Sequence, residues 1–230
     1  LDLMFGLPAQ TTSQALLDLY SAVELQPAHI SFYELTIEPN TRFYRQPPPR
    51  PDDDILWEMQ TAGRSLLDDA GYQRYEVSAY AQAGRQCRHN LNYWQFGDYL
   101  GIGAGAHSKI SSAATQTITR TSKIKHPRAY LDATSSDARI GSRNELSVDD
   151  VILEFAMNSL RLDCGFTRSA FTAATSLPCA AIETQVQAAM GRHLLTDDNG
   201  IIKATAKGLR YLNELLQHWM PESSRHAETR

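Results

Sequence analysis

The sequence predicts an α/β fold in two parts, an incomplete α/β barrel followed by a mainly helical domain. Residues 1–5 are a short, nearly all-apolar run, as in a parallel strand covered on both faces. Residues 29–37 are a second run, rich in β-forming side chains. Apolar residues at helical spacing separate the two runs, so a right-handed parallel crossover is predicted.

Start and stop signals place the next elements. Hydroxyls at residues 11–13 predict the start of the first helix, and Pro27 its end. Residues 38–54 hold five prolines and predict a long surface loop without regular structure. The acidic run at 52–54 favours the start of a second helix, which Gly71 ends. Polar residues near the ends of parallel strands, where α/β barrels keep their sites, support a barrel.

Two further strands are predicted at residues 75–80 and 99–107, which makes four. A closed barrel needs about eight strands, so the missing ones are expected before Leu1. Gly101, Gly103 and Gly105 alternate along the last strand, without the G-x-G-x-x-G spacing of a dinucleotide loop. We interpret them as strand glycines that face a bound group or a tightly packed neighbour.

Beyond about residue 110 the pattern becomes mainly helical. Residues 115–121 alternate like a solvent-facing hairpin strand, and helices are predicted after His126 and Ser147. Two more helices, a hairpin turning at Asn199-Gly200 and a final helix at 205–220 follow. This order resembles a winged helix. The predicted domains are residues 1–112 and 113–230.

Composition limits the classes of function. A net charge of -4 offers no general attraction for nucleic acid, and the predicted recognition helix at 180–192 has one basic residue, at its end. The three cysteines, Cys87, Cys164 and Cys179, are odd in number and far apart, which favours a reducing, cytoplasmic location. Hydrolase motifs are absent, so no catalytic residue is predicted.

The segment CRHNLNYW, residues 87–94, places one imidazole and two large aromatic side chains close together. The imidazole of His89 is a good axial donor to iron, and Tyr93 and Trp94 offer broad amphipathic faces. Such a combination suits a flat ligand. The alternative is a loop in which Trp94 fills a core and His89 bonds a neighbouring carbonyl group.

Several segments in matching order carry a resemblance to a known family. They are residues 2–8 (DLMFGLP), 35–41 (LTIEPNT), 75–78 (YEVS), 87–94 (CRHNLNYW), 98–101 (DYLG), 103–107 (GAGAH) and 126–127 (HP). They resemble the HemW haem chaperones, relatives of the radical-SAM oxygen-independent coproporphyrinogen III oxidases. The similarity covers essentially the whole chain, and HNxxYW is the signature that separates the chaperone branch from the oxidases.

The resemblance implies that the chain binds haem and delivers it to apo-proteins. His89 is then the expected axial ligand of the haem iron, with Asn90, Tyr93 and Trp94 completing the haem-binding set. Residues 1–112 are then the C-terminal half of a radical-SAM barrel, and residues 113–230 the helical, winged-helix-like domain. The alternative function is that of the oxidase, which decarboxylates coproporphyrinogen III.

The resemblance also implies S-adenosylmethionine and a [4Fe-4S] cluster in the full-length parent. Asp2 and His107 match residues near the S-adenosylmethionine site. The C-x-x-x-C-x-x-C cysteines that hold the cluster are absent from this sequence, so it contains no iron-sulfur ligands and is not expected to be catalytic alone. A homodimer and peripheral contact with membrane-bound haem proteins are further expectations for the parent.

Overall fold

The computed structural model describes residues 1–221. The chain divides into two compact units, Leu1–Arg88 and a second from His89 onward. This division differs from the sequence-based one after residue 112. Residues 112 and 117 face each other in a hairpin close to the predicted boundary, which stays a prediction.

The first unit contains one four-stranded sheet and three helices. Its elements are β1 Asp2–Phe5, α1 Thr12–Glu24, β2 His29–Glu34, α2 Arg42–Arg45, α3 Asp53–Asp69, β3 Gln73–Glu76 and β4 Ala79–Ala81. The sheet order is β1-β2-β4-β3. Its core includes Phe5, Leu19, Phe32 and Met59, which come from strands and helices alike.

The predicted parallel pairing of the first two strands is confirmed. β1 and β2 pair in parallel, with Asp2 opposite Ser31. Thr11 caps α1 through its hydroxyl, and Gln14 completes a reciprocal capping box. The N-cap signal in the sequence therefore marked the start of this helix to within a residue.

Two predictions in the first unit are wrong. The single strand at 75–80 is instead the hairpin of β3 and β4, and β4 runs antiparallel to β2. The Glu76 carboxylate accepts the amide proton of Ser78 at 3.1 Å and so holds the turn. The loop at 38–54 contains one helical turn, because the Thr41 hydroxyl caps it by accepting the amide proton of Tyr44.

The second unit contains two three-stranded sheets and seven α-helices within the described residues. Its elements are α4 Arg88–Trp94, β5 His107–Ser112, β6 Thr117–Lys123, α5 Pro127–Asp132, β7 Ile140–Glu145, α6 Val148–Ser159, β8 Phe166–Thr167, α7 Arg168–Thr175, α8 Ala180–Gly191, β9 Leu195–Asp198, β10 Ile201–Ala204, α9 Ala206–Arg210 and α10 Leu212–Gln217. The sheet orders are β5-β6-β7 and β8-β10-β9. Phe96, Phe155, Phe166 and Phe171 lie in its core.

Most of the helical pattern of the second unit is confirmed. Ser147 forms a capping box with Asp150 at the start of α6. Asn199 and Gly200 turn the β9-β10 hairpin with φ angles of 53° and 86°. The prediction of a single final helix is wrong, since Tyr211, at φ -112° and ψ 48°, divides it into α9 and α10.

The glycine-rich segment is not a strand, so the prediction of a strand at 99–107 is also wrong. Only Tyr99 makes an isolated bridge, to Lys109. Gly103 and Gly105 have φ angles of 110° and 71°, in the region that glycine tolerates and other residues rarely adopt. The segment turns back along β5, and the Gly101 amide donates to the Ser108 hydroxyl at 2.8 Å.

We expect Gly101→Ala to destabilise the second unit. A Cβ at this position would lie 2.2 Å from the His107 carbonyl oxygen, so backbone must move. Overpacking of this kind costs about 1–3 kcal/mol. Chemical unfolding followed by circular dichroism measures the loss in free energy of unfolding. The control is Gly191→Ala at the end of α8, where nothing lies within 4 Å; equal stability of both variants would contradict the expectation.

Candidate functional site

Helix α4 carries the HNxxYW residues, and the segment after it fixes its end. A helix of seven residues is too short to be stable alone, so contacts with the rest of the unit must hold it. The Phe96 amide donates to the Tyr93 carbonyl at 2.9 Å and the Gly97 amide to the Asn92 carbonyl at 2.7 Å. This is a Schellman arrangement.

Phe96 stands where such helix ends usually have glycine. Its φ of 60° is strained for an aromatic residue. The ring nevertheless lies buried in the core of the second unit, with its centroid 5.8 Å from that of Phe155. Burial of this ring offsets the backbone strain. The HNxxYW helix is therefore anchored in the hydrophobic core by the residue two positions after the motif.

Two hydrogen bonds add to this anchor. The Ser159 hydroxyl donates to the Trp94 carbonyl at 3.2 Å, which ties α4 to the end of α6. The Asn92 side-chain amide donates to the Asp98 carbonyl at 3.0 Å. An anchored helix holds its side chains in fixed positions, which a ligand site requires.

His89 and Tyr93 lie on the same face of α4, one turn apart. Their ring centroids are 4.8 Å apart with an interplanar angle of 79°. The imidazole is exposed, and within residues 1–221 no hydrogen bond or ion pair engages it. The hydrogen bond from His89 to a neighbouring carbonyl group, which the sequence left open as an alternative, is therefore not observed among residues 1–221. An accessible ring nitrogen fits an incoming metal centre.

Trp94 lies on a different side of α4 from His89. The Arg161 guanidinium lies 4.5 Å from the centroid of the indole ring, a cation-π contact. The indole Nε1 is buried, and within the described part of the chain it has no hydrogen-bond partner. The structure brings His89 and Tyr93 together, whereas one face of the Trp94 ring is already covered.

Sequence analysis missed three side chains that extend the His89 face. The Tyr99 ring lies 4.5 Å from that of Tyr93, between centroids. The Arg120 guanidinium, from β6, donates to the Tyr99 hydroxyl and to the Glu154 carboxylate of α6. Burial lowers the pKa of Arg120, but the hydrogen bond and charge of Glu154 outweigh it and leave the pKa raised. Neither the charged pair nor its contact with Tyr99 has a signature in the sequence.

A second ion pair fixes the segment that follows α4. Lys109 is buried, and its ammonium group donates to Asp98 Oδ1 at 2.9 Å while lying 4.1 Å from the centroid of Phe96. Asp98 also accepts from the amide and hydroxyl of Ser111, each at 2.8 Å. Burial raises the pKa of Asp98, but the bonds from Lys109 and Ser111 outweigh it and leave the pKa lowered.

An apolar cavity of about 320 Å³ lies within the second unit. Its wall includes the aromatic rings of Phe155 and Phe166. The two hydroxyls that line it already make hydrogen bonds, since Ser159 donates to the Trp94 carbonyl and Thr167 caps α7. The cavity therefore offers little to a polar or charged ligand.

Asp2 and His107, the expected S-adenosylmethionine contacts, lie in different units. Asp2 is exposed in β1 of the first unit, and His107 is exposed as the first residue of β5 in the second. Among residues 1–221 no group of three or more histidine, cysteine or acidic side chains could hold a metal ion. No helix in this range has the length and apolar character needed to cross a membrane.

Several known proteins are similar to this chain in sequence or in fold. Residues 146–211 match the family model of the HemN C-terminal domain. "Heme chaperone HemW" of Haemophilus influenzae is 47% identical over 96% of the chain, and that of Escherichia coli 45% over the same share. The chain spans 57% of each of these relatives.

A solved structure has the same fold. It is described as "Coproporphyrinogen III oxidase (HemN) from Escherichia coli is a Radical SAM enzyme", and matches with a TM-score of 0.71 at 19% identity. The match covers 95% of this chain and 54% of that one. Fold and C-terminal domain thus define a mixed α/β protein of the HemN-related class. Within that class, the chain is similar along most of its length to the HemW proteins.

Proposed function

We propose that the parent protein binds haem through His89 and passes it to apo-proteins. The observation that carries the proposal is the exposed imidazole, presented by an anchored helix and free of hydrogen bonds within residues 1–221. The HNxxYW sequence and relatives named "Heme chaperone HemW" support it. A histidine at the surface suits a carrier, because the acceptor protein can approach a haem that is not enclosed.

The neighbouring residues have distinct proposed roles. Tyr93 places an aromatic ring beside the imidazole and limits its rotation. Trp94, covered on one face by Arg161, contributes its other face or its edge to the apolar surroundings. Asn90 is half-buried beside His89 and completes the proposed haem-binding set.

For the parent we also propose the finer architecture of the family. Residues 1–112 are the C-terminal half of a radical-SAM barrel, and residues 113–230 a winged-helix-like domain. Helices α7 and α8 lie between β8 and the β9-β10 hairpin in sequence, and the three strands form one sheet, which supports the second assignment. Asp2 and His107 would contact S-adenosylmethionine in the parent. The [4Fe-4S] cluster would take its ligands from elsewhere, because Cys87, Cys164 and Cys179 lack the required spacing.

The proposed partners are haem and the apo-proteins that receive it, including membrane-bound haem proteins reached by peripheral contact. We propose a cytoplasmic location, in line with three free cysteines, and a homodimer as the assembly of the parent. Nucleic acid is not among the partners. Glu183 of α8 is paired with Arg168, and Gln187 donates to Glu183, so these polar side chains are engaged within the domain.

Haem transfer is the test of this function. Full-length protein loaded with haemin is mixed with apomyoglobin as the acceptor probe, and the spectrum of holomyoglobin is followed over time. We expect transfer from wild type at a rate faster than haemin release from serum albumin, the matched non-chaperone donor. Absence of haemin binding, or of transfer, would overturn the proposal.

We expect no turnover of coproporphyrinogen III by the full-length protein with S-adenosylmethionine and reductant. The HNxxYW residues favour the chaperone over the oxidase, and likeness to the HemN structure extends to the fold alone. Product analysis by chromatography measures the reaction, with a coproporphyrinogen III oxidase as positive control. Formation of protoporphyrinogen at a rate comparable to that control would favour the oxidase instead.

A further inference from the structure

Three rings form a continuous aromatic row in the second unit. His89 contacts Tyr93 edge to face at 4.8 Å, and Tyr93 contacts Tyr99 at 4.5 Å, between centroids. The first two rings belong to α4. Tyr99 lies beyond the helix end, where its backbone bridges to Lys109 of β5. The row therefore connects the exposed imidazole to a part of the fold held by a β-sheet.

Arg120 and Glu154 hold the inner end of this row. Arg120 comes from the central strand of the β5-β6-β7 sheet and bonds the Tyr99 hydroxyl. Its Nε donates to Glu154 Oε2 at 3.0 Å, from α6. The β5-β6-β7 sheet and helix α6 thus both help to fix the position of the Tyr99 phenol. Because Glu154 neutralises its charge, Arg120 is poorly suited to bind an anionic group of a ligand, and its effect on the site runs through Tyr99.

We propose that Tyr99 is a positioning residue for His89. Arg120 holds Tyr99, and Glu154 in turn holds Arg120. Tyr99 then sets the orientation of Tyr93, and Tyr93 sets the orientation in which the imidazole meets the haem iron. This inference rests on the proposed function of haem binding. The physical reason is that an imidazole with no hydrogen bond within residues 1–221 depends on ring packing for its orientation.

Haemin titration of the full chain and three variants tests the proposal. Tyr99→Ala removes the ring, Tyr99→Leu keeps apolar volume without an aromatic face, and Tyr99→Phe keeps the ring but loses the hydroxyl. We expect about tenfold weaker haemin binding in the first two, since loss of one aromatic contact is worth about a factor of ten. Their Soret and visible bands should move away from those of wild type. Tyr99→Phe should recover only part of the affinity and spectrum, because it keeps the ring contact with Tyr93 and loses the bond from Arg120.

The matched control is Tyr130→Phe, which also removes a tyrosine hydroxyl bonded within the second unit, to the Gly103 amide at 3.3 Å. It should bind haemin like wild type. Unchanged affinity and spectrum in folded Tyr99→Leu, with wild type binding through His89, would overturn the positioning role and leave the proposed function intact. If wild type itself showed no His89-dependent band, the proposed function would fail first.

Discussion

Haemin is expected to bind His89→Ala at least about a hundredfold more weakly than wild type, and the Soret band of histidine-bound haemin should be lost. Loss of a group that merely supports a metal ligand typically costs 10–100-fold, so loss of the ligand itself should reach the upper end or more. Folding should be unaffected, because the exposed imidazole makes no hydrogen bond within residues 1–221. Absorbance titration with haemin measures both affinity and spectrum.

The control for this experiment is His193→Asn, which removes another exposed histidine of the second unit. His193 has a φ of 60°, a conformation that asparagine tolerates better than alanine. Added imidazole should restore the spectrum of histidine-bound haemin to His89→Ala, because it can occupy the vacated space beside Tyr93. Retention of wild-type affinity and spectrum in His89→Ala would leave α4 with a structural role only and withdraw the haem site.

Local signals in the sequence predicted most of the helices and one hairpin. Thr11 and Ser147 cap their helices as expected, and Asn199-Gly200 turns its hairpin. These signals act within a few residues, so the sequence alone reveals them. The prediction of a strand at the glycine-rich segment failed because alternating glycines also fit a turn. The close approach of Gly101 to the His107 carbonyl group distinguishes the turn from a strand.

The site could be predicted only in part, for a physical reason. HNxxYW indicates the imidazole proposed to bind haem, since its residues are adjacent in sequence. The groups that hold it are not adjacent: Arg120 lies 21 residues from Tyr99 and 34 from Glu154. Such contacts depend on the packing of the sheet against α6, which no local pattern encodes. Phe96 was missed because aromatic residues rarely adopt a left-handed backbone, and it is the burial of its ring in the core that holds it there.

Asp98→Ala is expected to reduce the free energy of unfolding of the second unit by about 3 kcal/mol, the low end for breaking a buried ion pair. The cost arises because the Lys109 side chain is 2% exposed and would be left without its carboxylate. Lys109→Met should cost less, since the Asp98 side chain is 39% exposed and water can replace the ammonium group. Urea unfolding of both variants and the double variant measures the coupling. Equal costs for the two single variants would contradict this asymmetry.

The contribution of Asp98 should also depend on pH. Its pKa in the folded state is lowered, so its stabilisation is fully present above the unfolded pKa, about 3.9 for an ordinary aspartate, and is lost as pH falls through the folded value. The difference in unfolding free energy between wild type and Asp98→Asn should be constant near neutral pH and shrink below about pH 4. A difference that grew on acidification would mean that protonated Asp98 is the form the fold prefers. Lys109 and Ser111 would then not stabilise the charged carboxylate of Asp98, and the HNxxYW helix would be anchored without the contribution of this ion pair.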